Sequence, residues 1–277
     1  MKLPSYRIRS RKLRAFTLIE LLVVIIIVAA LAALVVPNVG SFGRSTDMAV
    51  SAKSQADIAN NVQQFYVLQK RYPQGFDSLL DTAGAVYASD TTNGDTQTRG
   101  LPYSGADGNR LQAQLAVTSL TNATGAEYAR SLTRSGLDWV YDHDTTVINS
   151  NLSNTTFRPF IADANGTGNA APTSLNVAEV TGAYMLSRLA PAGLKAGQRV
   201  VAFGFGQKNT AIGKTTTTTP LYPGADKTYY GRYIVYLMIF ASGERAMLLG
   251  VSDSYGRTPD YTEQQFNESL PDGARQG

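Results

Sequence analysis

Few residues in this sequence could do chemistry, and they are scattered. The chain has one histidine and no cysteine, which removes disulfides and thiolate zinc sites from consideration. The histidine, His143, stands between Asp142 and Asp144, types that bind metals or move protons. Neighbouring residues in an extended chain point in different directions, so this trio alone cannot form a site. We interpret it as a solvated loop, and we expect no catalytic residue and no metal site.

Two glycine-rich stretches resemble phosphate-binding motifs but lack a required residue. In Gly213-Lys214-Thr215, the first glycine of a Walker A loop would have to stand where Lys208 is found. Gly204-Phe205-Gly206 would need a third glycine where Asn209 stands. Nucleotide binding is therefore not indicated. Lys214 and the threonine run 215–219 are typical of an exposed polar loop.

One acidic residue stands in an unusual place. Glu20 lies inside the run Phe16 to Val36, in which only it and Thr17 are polar. As a helix this run would span about 31 Å, close to the roughly 30 Å hydrocarbon thickness of a bilayer. An acid at the centre of a membrane helix costs about 2.5–3.5 kcal/mol, and less near an end. Such residues usually serve a function, which favours a carboxylate that meets a partner.

The basic charge is confined to the start of the chain. Residues 1–15 hold six basic side chains and no acid, whereas the other 262 residues have 19 basic and 21 acidic side chains. Nucleic-acid binding needs a cationic cluster on the folded surface, so we do not expect a nucleic-acid partner. Basic residues before an apolar run predict that the N-terminus stays in the cytoplasm.

Three interpretations of the apolar run compete at this point. It is a secretory signal cleaved near Ala30-Leu31-Ala32, a permanent signal anchor, or the segment of a precursor processed in front of the run. Glu20 weighs against the first, because a cleavable signal gains nothing from an acid in its apolar core.

The residues Arg14 to Leu22 (RAFTLIELL) resemble the class III signal of type IV pilins and type II secretion pseudopilins. The resemblance implies that a prepilin peptidase cuts between Ala15 and Phe16 and then N-methylates Phe16. It also implies that Glu20 acts in assembly and that Pro37 kinks the helix. One position departs from the pattern: Ala15 stands where the family usually has glycine.

A physical role for Glu20 follows if Phe16 becomes the first residue. The new amine then starts a helix, and an acid in the first turn interacts favourably with that positive end. In a bundle, the acid of one copy pairs instead with the amine of its neighbour, because two buried opposite charges cost less together than apart.

The segment after the apolar run predicts a second helical part. Pro37, Gly40 and Gly43 predict a pause in helicity, and Thr46 to Lys70 then reads as an amphipathic helix. Its predicted apolar stripe contains Ala52, Ala56, Ala59, Val62 and Tyr66, widened by Ile58, Phe65 and Leu68.

Residues 14–80 are similar to the major pseudopilin of type II secretion. The matching features are Lys53 and Asp57 on the helix, the pair Tyr72-Pro73, and the leucines Leu79 and Leu80. The resemblance implies a tyrosine-proline loop followed by a short helix that carries these leucines.

The rest of the chain predicts an α+β head. Residues 81–126 and 144–176 read as loops, Ala126–Arg134 as a helix, and Leu137–Tyr141 and Gln198–Phe205 as strands. Two apolar runs, Tyr233–Phe240 and Ala246–Val251, flank Ser242-Gly243 and predict a β-hairpin. Their continuous hydrophobicity predicts burial on both faces, with the helix on one. Asp253–Gly277 is predicted to be a tail or a capping loop.

The expected organisation is a leader (1–15), a transmembrane helix (16–36), a helical shaft with its loop and short helix (37–80), and a head (81–277). The fold class is α+β and pilin-like, a long helix on an antiparallel sheet. The resemblance implies a single-pass protein of the cytoplasmic membrane with a periplasmic head, which works as a structural subunit of a type II secretion pseudopilus or related filament.

The expected partners are the prepilin peptidase, other pilin-like subunits in a homo-oligomeric filament, and the inner-membrane assembly machinery. No cofactor is expected. The family resemblance raises calcium as a ligand, and Asp90, Asn93 and Asp95 are hard donors, but they match no family position. The alternative is a membrane-anchored or secreted binding protein or hydrolase that uses its N-terminus only for export.

Overall fold

The structure is a computed structural model that describes residues 18–81, 84–86, 101, 110–120, 126–143, 156–159, 175–221 and 230–260. The chain divides into two compact units, Met1–Ser45 and Thr46–Gly277. The second unit, which we call the head unit, contains the C-terminal part of the first helix and the whole β-sheet.

Helix α1 spans Leu18–Gln69, a length of 52 residues. The helix continues through Pro37, Gly40 and Gly43, so the predicted pause in helicity is wrong. A proline removes one backbone hydrogen bond and each glycine costs about 1 kcal/mol, but these local losses do not interrupt the helix. The helix ends where Lys70 adopts a left-handed φ of 57° and donates its N–H to Tyr66 O at 2.8 Å.

The head unit continues with short helices and strands in mixed order. The helices are α2 (Leu111–Gln114), α3 (Ala126–Arg134) and α4 (Ala183–Leu189). The strands are β1 (Phe76–Asp81), β2 (Leu115–Ser119), β3 (Trp139–His143), β4 (Thr156–Pro159), β5 (Asn176–Val180), β6 (Gln198–Gly204), β7 (Ile234–Phe240) and β8 (Met247–Ser252).

Strand β6 is the centre of a forked sheet. On one side it pairs with β7 along its whole length, and β7 pairs with β8. Its other side is shared: Ala202 and Val201 pair with β5, whereas Gly204 pairs with Asp77 of β1. From there β5 leads to β2, and β1 leads to β3 and β4.

The sheet is mixed, which corrects the prediction of an antiparallel sheet. β1 and β3 are parallel, while the other described strand pairs are antiparallel. A parallel pair needs a long crossover connection, and the chain between Asp81 and Trp139 provides one that contains α2, β2 and α3.

The predicted hairpin is confirmed as β7 and β8, and both faces of β7 are covered. Tyr233, Val235, Leu237 and Ile239 are buried in one apolar cluster together with Ile58, Val62 and Phe65 of α1. Ile234 and Tyr236 point the other way, into a second cluster with Met185 and Leu189 of α4. The unbroken apolar run therefore does indicate a strand between two cores.

The buried face of α1 differs in part from the predicted stripe. Ile58, Val62 and Phe65 are buried as predicted, but Ala56 and Leu68 are exposed. The face is completed by two polar residues, Ser51 and Gln55. These five residues follow alternating steps of four and three, which keeps them on one side of the helix.

Several loop and helix predictions are corrected in the head. Leu79 and Leu80 lie in strand β1, not in a short helix, because both are buried against the sheet. The segments predicted as loops contain β2 and β4. Helix α3 and strand β6 are confirmed, β3 lies two residues later than predicted, and β5 and α4 were not predicted.

Candidate functional site

The predicted processing position, Ala15-Phe16, lies outside the described residues. Glu20, the predicted assembly residue, lies in the first turn of the described helix, and its side chain is exposed. An acid in this position interacts favourably with the positive end of a helix. Glu20 is four positions from Phe16, the residue that the predicted cut would turn into the new amino terminus.

The helix around and after Glu20 presents apolar side chains in every direction. All described side chains from residue 18 to residue 32 are exposed. Large aliphatic side chains dominate this surface, with exposures from 47% at Val23 to 83% at Leu18. A helix that is apolar on all sides is typical of a buried or lipid-facing element, and an exposed apolar surface of this extent marks an interaction site.

Within the described part of the chain, none of the helices combines the length and the apolar character that crossing a bilayer requires.

Pro37, the predicted kink residue, lies inside α1. Its ring nitrogen cannot donate to the carbonyl of Ala33. The kink itself stays a prediction.

The Tyr72-Pro73 segment joins α1 to the sheet through Gln74, which sequence reasoning missed. The Gln74 side-chain oxygen accepts the N–H groups of Asp138 (2.8 Å) and Trp139 (3.3 Å). Its amide nitrogen donates to Gly136 O and to Asp138 Oδ2. The sequence did contain a signal for this role, a tyrosine-proline turn followed by Gln-Gly. An amide side chain that is buried in a loop needs hydrogen-bond partners for both its oxygen and its nitrogen.

A buried polar cluster lies where β1 meets β6. Asp77 Oδ2 accepts a hydrogen bond of 2.6 Å from the Tyr230 hydroxyl, and Arg232 is buried beside them. Burial raises the pKa of Asp77 to about 7, and the hydrogen bond from Tyr230 and the charges of Arg232 and Lys208 oppose that rise. The sequence signal was an acid within the apolar stretch Phe76–Leu80.

The prediction of a loop is wrong for the first two residues of the histidine trio. Asp142 and His143 end strand β3, and Asp142 is buried. Its carboxylate accepts hydrogen bonds from the Ser78 hydroxyl (2.5 Å) and from Arg158 Nε (2.6 Å). Asp142 is therefore committed to linking β1, β3 and β4. Asp144 lies outside the described residues.

The two glycine-rich stretches have structural roles. Gly204 and Gly206 lie so close to Tyr230 and Asp77 that side chains there would overlap them. Lys214 is exposed, as predicted, and its ammonium lies 5.4 Å from the centre of the Phe65 ring. The described part of the chain contains no group of three residues able to hold a metal ion. Asp90, Asn93 and Asp95 lie outside that part.

Comparison with protein families gives a match confined to the N-terminus. Residues 10–36 match the family described as the prokaryotic N-terminal methylation motif. Comparison with curated proteins and with solved structures gives no match. The chain thus carries a type IV pilin-like prepilin signal, and this motif implies processing by a prepilin peptidase and assembly with other pilin-like subunits.

Proposed function

We propose that the chain is a structural subunit of a type II secretion pseudopilus or a related type IV pilus-like filament. The observation that carries this proposal is the helix from Leu18 to Ala32, apolar on every side and exposed, inside the segment that matches the methylation motif. Apolar surface is stabilised by about 25 cal/mol per Å² when it leaves water. Packing between copies of this helix along the axis of a fibre keeps that surface out of water once the subunit has left the membrane.

Before assembly, the same helix holds the precursor in the cytoplasmic membrane. The six basic residues of the leader support an orientation with the N-terminus in the cytoplasm and the head in the periplasm. The prepilin peptidase then cuts between Ala15 and Phe16 and methylates Phe16, and the inner-membrane machinery moves the subunit into the filament.

The proposed role is mechanical and not catalytic, and it requires no cofactor. The buried acids of the head serve as structural partners. Asp77 accepts a hydrogen bond from Tyr230, Asp142 is paired with Arg158, and Asp253 is paired with Arg257. These contacts support a head that presents a rigid surface.

Mass spectrometry of the mature N-terminus tests the proposal. The protein is purified from membranes of its own host and compared with protein from cells that lack the prepilin peptidase. We expect N-methylated Phe16 as the first residue in the first sample and an intact leader in the second.

A mature chain that starts at Ala33 would instead indicate a secretory signal and an exported binding protein or hydrolase. An intact leader in normal cells would indicate a permanent anchor. Shearing cells and probing the released material for the chain provides an independent test, because only a filament subunit is released in polymeric form.

A further inference from the structure

A group of basic side chains lies where α1 ends. Three structural elements contribute to it, and cations up to 175 positions apart meet there. All five of its members are exposed: Lys70 and Arg71 after α1, Arg130 and Arg134 of α3, and Arg245 in the turn between β7 and β8. We call this group the basic cluster.

Hydrogen bonds from two arginines hold the β7–β8 turn against the helices. Arg245 Nη1 donates to the Tyr66 hydroxyl at 3.3 Å and to Lys70 O at 3.4 Å. Arg134, the last residue of α3, donates from Nη1 to Gly243 O at 2.7 Å. The turn is therefore attached to the C-terminal ends of both α1 and α3.

The segment after α1 is held against the residues that follow α3. Tyr72 N donates to Ser135 O at 2.7 Å. A Cβ atom at Gly136 would overlap the Arg71 side chain, so the two residues are in close contact. These contacts place Arg71 in the same part of the head as the cations of α3.

The basic cluster contains more cations than the nearby acids neutralise. Glu127 pairs with Arg130, and Glu244 stands exposed in the β7–β8 turn. A third acid, Asp138, accepts a hydrogen bond of 3.1 Å from the Gln74 amide. The other four cations form no salt bridge with an acid of the described residues.

Two of these four cations have a structural role, and two do not. Positive charge is favourable near the C-terminal end of a helix, and Arg245 and Arg134 also donate to backbone carbonyls. The charged groups of Lys70 and Arg71 contact no polar partner among the described residues. They are available to an acidic partner from outside the subunit.

Exposed apolar side chains accompany these cations. Val67 and Leu68, in the last turn of α1, are 63% and 64% exposed, and Met247, two residues after Arg245, is 50% exposed. Protein interfaces combine apolar side chains with arginines. This end of the head therefore suits a partner that carries both carboxylates and apolar side chains.

The sequence contains a segment with this composition. From Asp260 to Asp272 (DYTEQQFNESLPD) it has four acidic and no basic residues, together with Tyr261, Phe266 and Leu270. We call it the acidic segment. Its first residue is exposed, and the others lie outside the described residues. Clusters of arginine recognise acidic segments of this kind, since a guanidinium can donate two parallel hydrogen bonds to one carboxylate.

The basic cluster and the start of the acidic segment lie at opposite ends of β8. The chain enters β8 at Met247, directly after the basic cluster. It leaves β8 at Ser252 and passes Gly256, which lies against Met185 of α4 and Leu111 of α2. A strand of six residues spans about 20 Å. The acidic segment therefore starts away from the cations of its own copy.

We propose that the acidic segment of one copy binds the basic cluster of the next copy. This inference rests on the proposed filament function and names a contact between its heads. The carboxylates pair with Lys70 and Arg71, while the apolar side chains of the segment cover Val67, Leu68 and Met247. A contact between two different surfaces of identical subunits is heterologous, and it repeats from copy to copy into an open fibre.

An exchange of charges tests this contact. Lys70→Glu combined with Arg71→Glu should lower the amount of chain in the sheared polymer at least about tenfold, because like charges then face each other across the interface. Glu263→Lys combined with Glu268→Lys should have the same effect. A variant with all four substitutions pairs the charges again with reversed signs, and its polymer should return to within about threefold of the native amount.

A matched control changes the same charge elsewhere on the head. Lys195 and Lys214 are exposed and lie outside the basic cluster, so Lys195→Glu combined with Lys214→Glu should leave the amount of polymer unchanged. The fluorescence of Trp139, the only tryptophan of the sequence, shows by thermal unfolding that each head is folded. N-methylated Phe16 in the same samples shows that processing is intact.

Carbodiimide cross-linking of native polymer tests the contact without any substitution. The reagent joins an ammonium group to a neighbouring carboxylate as an amide, with loss of water. Peptide mass spectrometry should find Lys70 joined to an acid of the acidic segment in dimers and larger species, and no such link from Lys195. The same Lys70 link in monomers would place the segment on its own copy, which overturns the proposal.

The filament function and this contact fail in different ways. If native cells release no polymer, both are wrong. If native polymer forms and the two doubly substituted variants assemble as well as the native chain, the contact alone is wrong. Loss of polymer in both of these variants without recovery in the combined variant also overturns the contact, because the effect would then not come from their pairing.

Discussion

The hydroxyl of Tyr72 accepts a hydrogen bond from the backbone N–H of Leu248 at 2.9 Å, within the buried interior of the head. This bond links the segment after α1 to strand β8. Burial is the largest cause that raises the pKa of Tyr72, so the hydroxyl keeps its proton at ordinary pH. The contact gives a backbone donor in the buried interior a side-chain acceptor.

Tyr72→Phe should destabilise the head by about 1–3 kcal/mol, because Leu248 N–H loses its acceptor. Urea unfolding followed by Trp139 fluorescence measures the change. Tyr66→Phe is the matched control: the Tyr66 hydroxyl accepts a 3.3 Å bond from Arg245 at an exposed position, so its loss should cost about 0.5 kcal/mol or less. Equal effects of the two substitutions would contradict the role assigned to Tyr72.

Local patterns in the sequence predicted the elements that are long or apolar. The β7–β8 hairpin was predicted from two apolar runs around Ser242-Gly243, and α3 was predicted over the same residues that it occupies. The short strands could not be predicted in this way. β1 owes its pairing to β3 and β6, which lie far along the chain, and β4 is joined to its partner β3 by the long segment 144–155. The local sequence around Leu79 and Leu80 is equally compatible with a helix. Pairing with β6 and β3 makes this segment a strand.

The residues of the candidate site could likewise be predicted only in part. The N-terminal signal is contiguous, and the methylation motif confirms it at residues 10–36. Asp77 and Tyr230 are 153 positions apart, and no spacing rule connects them. Gln74 also remained hidden, because its partners belong to the connection between α3 and β3.

Valine-to-alanine substitutions at two positions of α1 test which face of the helix is buried. Val62 is fully buried and Val67 is 63% exposed. Val62→Ala should cost about 1.5–3 kcal/mol, because it removes buried carbon atoms and leaves a cavity. Val67→Ala should change stability by about 0.5 kcal/mol or less. Urea unfolding of both variants measures the difference, and a larger effect at Val67 would mean that the helix faces the other way.

The close approach of β6 to Tyr230 can be tested with two strand glycines. Gly204→Ala would place a methyl group on the Tyr230 hydroxyl, whereas at Gly250 the nearest atom, Leu189 Cδ2, is 3.6 Å away. Overpacking of this kind costs about 1–3 kcal/mol. We expect Gly204→Ala to lower the melting temperature and Gly250→Ala to leave it nearly unchanged. If Gly204→Ala is tolerated as well as Gly250→Ala, the Tyr230 side chain lies elsewhere.

Ala15 gives a test of processing that is separate from assembly. The family pattern usually has glycine before the cut, so Ala15→Gly should increase the rate at which the leader is removed. Pulse-labelling followed by separation of the precursor and mature forms measures this rate. Ala30→Gly, a small-residue change at the rival secretory position, is the control and should not alter it. A rate that responds to Ala30 and not to Ala15 would favour secretory cleavage.

Glu20 is expected to act in assembly, because its carboxylate lies in the first helical turn, beside the amine that cleavage before Phe16 would create. Glu20→Gln keeps the size of the side chain and removes its charge. An amine left buried without its partner costs about 3–5 kcal/mol, which predicts at least a hundredfold loss of polymer. The measurement is the amount of chain in the sheared fraction, with the N-terminus of the same sample checked by mass spectrometry.

Thr17→Ser is the matched control for Glu20, since it alters the other polar residue of the apolar run without changing charge. It should leave both processing and polymer amounts unchanged. A Glu20→Gln protein with N-methylated Phe16 and normal polymer amounts would show that the charge pair is not needed. Normal processing with lost polymer would separate the two roles of this segment, because the peptidase would still recognise a signal whose assembly contact has been removed.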